Sequence, residues 1–153
     1  MSSIKFLTNY IKGFSNLLEK SSKKSISKLI DVSDVIKDAN HAGNKVLIFG
    51  QGGSAAIASH FSVDLTKNAG FRCVNFNEAD LLTCFSNDFG YERWVEKSID
   101  FYADEGDVII LISSSGNSQN MINGVTASRN KNVSKIITFT GFDLSLIHLS
   151  EPT

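Results

Sequence analysis

Four short apolar runs constrain the fold of this 153-residue chain more than any other feature. They are residues 45–49 (KVLIF), 107–112 (DVIILI), 135–139 (KIITF) and, interrupted by Arg72 and Asn75, residues 71–76 (FRCVNF). Strands that are buried on both faces of a sheet are continuously apolar, whereas half-exposed strands alternate. The helices predicted between the runs are 55–67, 78–86, 92–101 and 119–129. This order predicts an α/β fold: a three-layer sandwich in which helices cover both faces of a parallel sheet.

The segment before the first strand is predicted to be helical. Apolar residues recur every three or four positions from Ile4 to Leu18 and again from Ile26 to Ile36, which is the spacing of one helix face. A polar stretch at 21–25 separates them, so we expect an N-terminal helical pair in residues 1–44, as part of the same domain as residues 45–143.

Composition excludes several classes of protein. The 15 basic and 16 acidic residues give a net charge of −1, which predicts neither direct nucleic-acid binding nor a membrane surface as partner. No apolar run approaches the roughly 20 residues that span a bilayer, and residues 1–12 lack the apolar core of a signal peptide. We therefore expect a cytoplasmic protein with no membrane segment, in which Cys73 and Cys84 are buried free thiols.

Two predicted turns combine glycine with serine. Residues 50–54 (GQGGS) and 113–118 (SSSGNS) each follow an apolar run and precede a helix. In an open α/β sheet such turns meet at the carboxyl ends of the strands. Glycines allow close backbone approach, helix N-termini attract anions and serine hydroxyls donate hydrogen bonds. Together the two turns predict a phosphate site that needs no Lys or Arg.

Other interpretations of these turns stay open. Serine and asparagine are also common helix N-caps, and glycine is common in any turn. A nucleotide-binding domain is less favoured, because residues 50–54 match neither the GxGxxG nor the Walker A pattern. Glu78 or Asp80 would be its candidate ribose ligands.

The ordered motifs resemble one known family. These motifs are QGGS (51–54), HF (60–61), NDFGYE (87–92), GDV (106–108), ISSSGNS (112–118) and TG (140–141). Over residues 45–143 the chain resembles the sugar isomerase (SIS) domains, and among them the phosphoheptose isomerases. The resemblance implies a flavodoxin-like parallel sheet, a homotetramer assembled through the N-terminal helices, and pockets at the subunit interfaces.

The resemblance also implies the site. The residues expected to bind the sugar phosphate are Gly52, Gly53, Ser54, Asn87, Asp88, Ser113, Ser114, Ser115, Asn117 and Ser118. Asp64 and His60 are the implied catalytic residues, and in some relatives this pair holds zinc, so zinc is a candidate ligand although no cofactor is required. The spacing i, i+4 equally suits a simple hydrogen bond on a helix surface. Family members commonly have Glu at position 64 and Asn at position 51, where this chain has Asp64 and Gln51.

The implied activity is that of an aldose–ketose isomerase. It would convert sedoheptulose 7-phosphate to D-glycero-D-manno-heptose 7-phosphate in heptose biosynthesis. The alternative is a non-catalytic, phosphosugar-binding SIS module, either a regulator or of the type that associates with the DnaA initiator.

The end of the chain departs from the family pattern. Residues 144–153 resemble a peptide encoded by a common sequencing adapter, and we expect them to be a non-native tail, with a natural short tail as the alternative. The chain would then be truncated at its C-terminus and could be inactive by itself. His148 would not be the catalytic histidine that relatives carry in a later helix.

Overall fold

The computed structural model describes residues 2–141. Its helices are α1 (Ser3–His41), α2 (Gly53–Val63), α3 (Ala79–Phe89), α4 (Trp94–Tyr102) and α5 (Gln119–Asn130), and its strands are β1 (Val46–Gly50), β2 (Cys73–Asn75), β3 (Val108–Ser113) and β4 (Lys135–Thr140). A π-helical turn, Asp64–Asn68, continues α2, and a 3-10 turn, Tyr91–Arg93, precedes α4. The four predicted strands and the helices between them are confirmed, with bounds that differ by up to four residues.

The strands form one parallel sheet in the order β2-β1-β3-β4. After β1 the chain adds β2 on one side, and it then crosses over β1 to place β3 on the other side. The strand order therefore reverses between β1 and β3. In doubly wound sheets this switch point is where the carboxyl ends of two strands open into a crevice.

The core covers the central strands on both faces. On one face, alternate residues of β1 and β3, such as Phe49 and Leu111, pack with Trp94 of α4 and with Met121 and Val125 of α5. The other residues of these strands, including fully buried Ile48 and Ile110, face the opposite side. The α2 helix packs against β1, β2 and β3. The predicted three-layer α/β fold is confirmed.

The predicted N-terminal pair is instead one continuous helix of 39 residues. The expected break at 21–25 is wrong because serine and lysine are compatible with a helix interior, and neither Gly nor Pro interrupts this stretch. Ser22 Oγ donates to the carbonyl of Glu19, and Lys23 Nζ lies 2.6 Å from Glu19 Oε1.

The chain divides into two compact units whose boundary falls between Asp34 and Val35. The domain bounds at 44 and 143 stay a prediction, and the predicted tail at 144–153 lies outside the described residues. Within residues 2–141, no helix has both the length and the apolar character needed to cross a membrane.

Both cysteines are free, as expected, but the prediction that both are buried is wrong for Cys84. Cys84 lies on the exposed face of α3, because that helix turns its apolar side chains Leu81 and Phe85 toward the core. Cys73, in β2, is partly buried.

Candidate phosphosugar site

A cavity of about 250 Å³ lies at the switch point between β1 and β3. Its lining residues come from the two predicted turns, the end of β3 and the first turn of α5: Gln51, Ser54, Ile112, Ser113, Ser114, Ser115, Ser118 and Met121. The structure therefore brings the two turns together, as the sequence predicted. Ile112 and Met121 were not predicted, because an apolar residue in a strand or helix gives no sequence signal for a role in a polar cavity.

The turn after β1 is shaped by its glycines. A Cβ atom on Gly50 would lie 2.2 Å from the carbonyl oxygen of Ser54, so the first turn of α2 sits directly on this residue. Gly52 has a φ of 54° and a ψ of −121°, a conformation open mainly to glycine. This compact turn brings Gln51 and Ser54 to the cavity. Gln51 Nε2 is buried there and has no hydrogen-bond partner within the described part of the chain.

The turn after β3 orients its hydroxyls through the backbone. Ser113 Oγ accepts a hydrogen bond from the N–H of Gly116 at 3.1 Å, and Ser115 Oγ accepts one from the N–H of Asn117 at 3.2 Å. A hydroxyl that accepts from the backbone still has its own proton to donate. The N–H of Gly141, after β4, donates to the carbonyl of Ser114 at 2.9 Å and ties this turn to the neighbouring strand.

Helix capping does not account for these residues. Ser118 is the N-cap residue of α5 and Gly52 that of α2, yet neither helix has a side-chain capping hydrogen bond. Neither helix start has a side-chain cap, although the N–H groups of Ser54, Ala55 and Met121 already donate to backbone carbonyls of their own first turns. The positive ends of the two helix dipoles still favour an anion at the cavity.

Within residues 2–141 the cavity lining has no charged side chain: it consists of serines, one glutamine, one isoleucine and one methionine. These residues offer an anion hydroxyl, side-chain amide and backbone donors. They supply the donors that a phosphate group needs, but they include no general base or acid.

His60 and Asp64 lie outside the cavity lining. His60 Nε2 is 3.5 Å from Asp64 Oδ2, and Asn68 Nδ2 donates to Asp64 Oδ1 at 3.0 Å. At about 1.5 Å per helical residue, Asp64 is about 15 Å along the helix from Ser54. The His60 side chain is 81% exposed and that of Asp64 is 49% exposed. The pair is formed as predicted, but it faces the surface.

Asn87 and Asp88 lie in the last turn of α3 and also do not line the cavity. Asn87 Nδ2 donates to Asp88 Oδ1 at 2.9 Å, and the Cys84 thiol donates to Asp88 Oδ2 at 3.7 Å. Both side chains are exposed. Of the predicted contacts, Gly52, Gly53 and Asn117 are likewise exposed beside the lining residues.

The His60–Asp64 pair does not by itself fit a catalytic zinc ion. Such an ion takes three protein ligands and keeps one open position. Among residues 2–141, no third His, Cys, Asp or Glu joins the pair to form a metal-binding group. The pair offers two ligands, and a third would have to come from elsewhere.

A family model supports the interpretation of the site. The model described as SIS domain matches residues 9–141. The chain is 36% identical over 126 residues to the phosphoheptose isomerase of Sodalis glossinidius, covering 79% of this chain and 64% of that protein. It is 40% identical over 114 residues to that of Proteus mirabilis, covering 71% of this chain and 59% of the relative. The chain thus spans about three fifths of the length of these relatives.

Solved structures show the same fold. The phosphoheptose isomerase GmhA from Neisseria gonorrhoeae superposes with a TM-score of 0.92 at 25% identity, over 99% of this chain and 82% of that one. A phosphoheptose isomerase from Francisella tularensis superposes with a TM-score of 0.93 at 21% identity, over 100% and 82% of the two chains.

Proposed function

Since the chain belongs to the SIS domain family, we propose that it is a cytoplasmic sugar-phosphate isomerase with sedoheptulose 7-phosphate as substrate. The observation that carries the proposal is the uncharged, serine-lined cavity between β1 and β3. Its donors suit a phosphate monoester, and the curated relatives at 36–40% identity are phosphoheptose isomerases.

In this proposal the two turns bind different parts of the substrate. Ser113, Ser115 and Ser118 bind the phosphate, and Gln51 and Ser54 contact the sugar. A cavity of about 250 Å³ is smaller than most complete small-molecule sites, which begin at about 300 Å³. It would therefore enclose the phosphate and only part of a seven-carbon chain.

Isomerisation moves one proton between neighbouring carbons. A base removes a proton from C1 of the ketose while an acid protonates the C2 oxygen, and the resulting enediol then takes up a proton at C2 and loses one from the C1 hydroxyl. Asp64 is the candidate base, with His60 beside it. Asp64 lies outside the cavity lining, so we propose that it acts on the pocket of a second copy in a homotetramer.

Exposed apolar residues support such an assembly. Ile57 and Val63, on the same helix as His60, are 59% and 52% exposed. In α1, eleven large apolar side chains are more than half exposed: Ile4, Phe6, Leu7, Tyr10, Ile11, Phe14, Leu17, Leu18, Ile26, Leu29 and Ile30. Large exposed apolar patches commonly mark protein interfaces. The same assembly could bring a third ligand to His60 and Asp64, which is what a zinc site there would require.

A non-catalytic phosphosugar-binding module is the second candidate. The observation in its favour is that the part of the cavity lining formed by residues 2–141 includes no group able to accept a proton from carbon.

Deuterium exchange distinguishes the two functions. We expect the full chain, incubated in D2O with sedoheptulose 7-phosphate, to introduce deuterium next to the carbonyl, as followed by NMR. Asp64→Asn should abolish the exchange, whereas Asp80→Asn, an exposed aspartate of α3, should not. Binding without exchange would contradict isomerase activity of this chain, and absence of sugar-phosphate binding would contradict both candidates.

A further inference from the structure

The second strand of the sheet ends before the first strand does. Pairing between β1 and β2 stops at Ile48 opposite Asn75, although β1 continues to Gly50. Buried carbonyl groups without partners are costly. Here two side-chain amides supply hydrogen bonds to β1 beyond the end of β2. Asn75 Nδ2 donates to the carbonyl of Ile48, and Asn77 Nδ2 donates to that of Gly50, each at 3.0 Å.

Asn75 and Asn77 are also hydrogen-bonded to each other. Asn75 Nδ2 donates to Asn77 Oδ1 at 2.9 Å, and the backbone N–H of Asn77 donates to Asn75 Oδ1 at 3.2 Å. From α2, Ser59 Oγ donates to the same Asn75 oxygen at 3.0 Å. Because Asn77 Oδ1 accepts a hydrogen bond from Asn75, the amino group of Asn77 is directed at Gly50.

Gly50 connects this network to the cavity. It directly precedes Gln51, and the first turn of α2 with Ser54 rests on it so closely that a Cβ atom would not fit. A shift of Gly50 would therefore displace both Gln51 and Ser54. The serine turn on the other side of the cavity has supports of its own, in its backbone hydrogen bonds and the bond from Gly141, besides the pairing of Gly50 with Ile112 at the end of β3.

We propose that Asn77 is a positioning residue for the sugar side of the site, which acts by fixing the carbonyl of Gly50. This inference rests on the proposed function, which assigns the turn after β1 to the sugar and the turn after β3 to the phosphate. Loss of Asn77 should weaken sugar contacts and leave phosphate binding in place, which a general loss of stability would not do.

Asn44 provides a matched control. Its Nδ2 donates to the backbone carbonyl of Glu105 at 2.9 Å. This is the same kind of hydrogen bond, from a side-chain amide to a backbone carbonyl, but it joins two loops at the amino end of the sheet. Calorimetric titration of the full chain with sedoheptulose 7-phosphate and with inorganic phosphate compares the two variants. For Asn77→Ala we expect the sugar phosphate to bind about tenfold more weakly, and phosphate to change by less than about twofold. Asn44→Ala should change neither.

Equal weakening of both ligands, or of neither, by a folded Asn77→Ala would overturn the inference. If that variant does not fold, Asn77→Ser replaces it, because its hydroxyl is too short to reach Gly50. Amide hydrogen exchange gives a reading that does not depend on the ligand: residues 51–54 should exchange faster in the variant and residues 114–118 should not. Unchanged exchange at 51–54 would contradict the positioning role, whereas failure of the unaltered chain to bind sugar phosphate would contradict only the proposed function.

Discussion

The two ends of the parallel sheet satisfy their polar groups in opposite ways. At the amino end, Lys45 Nζ lies 2.6 Å from both Asp104 Oδ2 and Asp107 Oδ2. Asp107, whose side chain is 2% exposed, also accepts hydrogen bonds from the backbone N–H groups of Lys45 and Asp104. At the carboxyl end the cavity has neutral donors, and Gln51 Nε2 has no partner within residues 2–141.

This difference distinguishes polar groups that stabilise the fold from polar groups that are available to a ligand. Buried polar groups are normally hydrogen-bonded within the protein, as Asp107 is. A group left unpaired at the end of the sheet where ligands bind is ready for a partner that the protein does not supply. The amino end should thus determine stability without affecting ligand binding, and the carboxyl end should determine binding.

Gly50→Ala should destabilise the protein as much as any other change proposed here, and it would disrupt the carboxyl end of the sheet itself. The added Cβ would meet backbone atoms of Ser54 and Ala55 within 2.8 Å, and backbone cannot yield as a flexible side chain does. We expect the free energy of unfolding to fall by about 3 kcal/mol, at the upper end of overpacking costs, as measured by urea denaturation.

Gly53→Ala is its control, because a Cβ atom there meets nothing within 4 Å. Its stability should stay within about 0.5 kcal/mol of that of the unaltered chain. Equal losses for the two variants would contradict the close packing of α2 on Gly50.

Lys45→Met tests the amino end. It leaves the Asp107 carboxylate buried without its cation, and removing one partner of a buried pair costs about 3 kcal/mol. The affinity for sugar phosphate should not change. Lys23→Met removes an exposed pair with Glu19 and should cost less than about 0.5 kcal/mol. If Lys45→Met lowered the affinity while the protein remained folded, the two ends of the sheet would not be independent.

The contribution of Lys45 should depend on pH in a defined way. Burial alone would lower the pKa of Lys45, but hydrogen bonds and charges of Asp104 and Asp107 outweigh it and raise the pKa above its ordinary value. A raised pKa gives a stabilisation that is complete below about pH 10.4, the unfolded value, and is lost as pH rises through the folded value.

Asp104 determines how the stabilisation changes at low pH. The hydrogen bond and charge of Lys45 lower the pKa of Asp104, so its contribution is present above about pH 3.9 and is lost as pH falls through the folded value. The stability difference between the unaltered chain and Lys45→Met should therefore be constant from about pH 5 to 9 and shrink outside that range. Urea denaturation across pH measures it, and a maximum within that range would contradict the account.

The smallest expected effect concerns the cysteines. The charge of Asp88, followed by smaller contributions, raises the pKa of the exposed Cys84 thiol. Burial raises the pKa of Cys73 to about 12. Since the thiolate is the reactive form, Cys84 should react slowly with iodoacetamide at pH 8 and faster in Asp88→Asn. Cys73 should react slowly in the folded protein and faster on unfolding, and mass spectrometry of the alkylated peptides distinguishes the two sites.

Sequence patterns predicted the elements better than their contacts. The sequence identified all four strands of residues 2–141, most clearly β1 and β3, whose burial on both faces leaves a continuous apolar run. The short β2 is partly exposed and gives a weaker signal. The continuity of α1 was missed because polar residues at 21–25 resemble a break, although none of them is a helix breaker. The bonds that Asn75 and Asn77 make to β1 could not be predicted, since they depend on where β2 ends relative to β1.

The site was predicted in part for the same reason. The two turns meet because parallel strands end at one edge, and a sequence order of strand, turn and helix is enough to predict that. The position of His60 and Asp64 relative to the cavity depends on how far α2 runs from the sheet, which the motif itself does not encode.

The most direct test of the central claim is the thermal stability of the full chain with sedoheptulose 7-phosphate, inorganic phosphate or NAD. A ligand at 100 times its Kd stabilises the folded state by about 2.7 kcal/mol. We predict that the sugar phosphate raises the Tm, that NAD does not, and that Ser115→Ala loses the rise. A cooperative unfolding transition that the sugar phosphate does not shift would contradict a phosphosugar site in the serine-lined cavity.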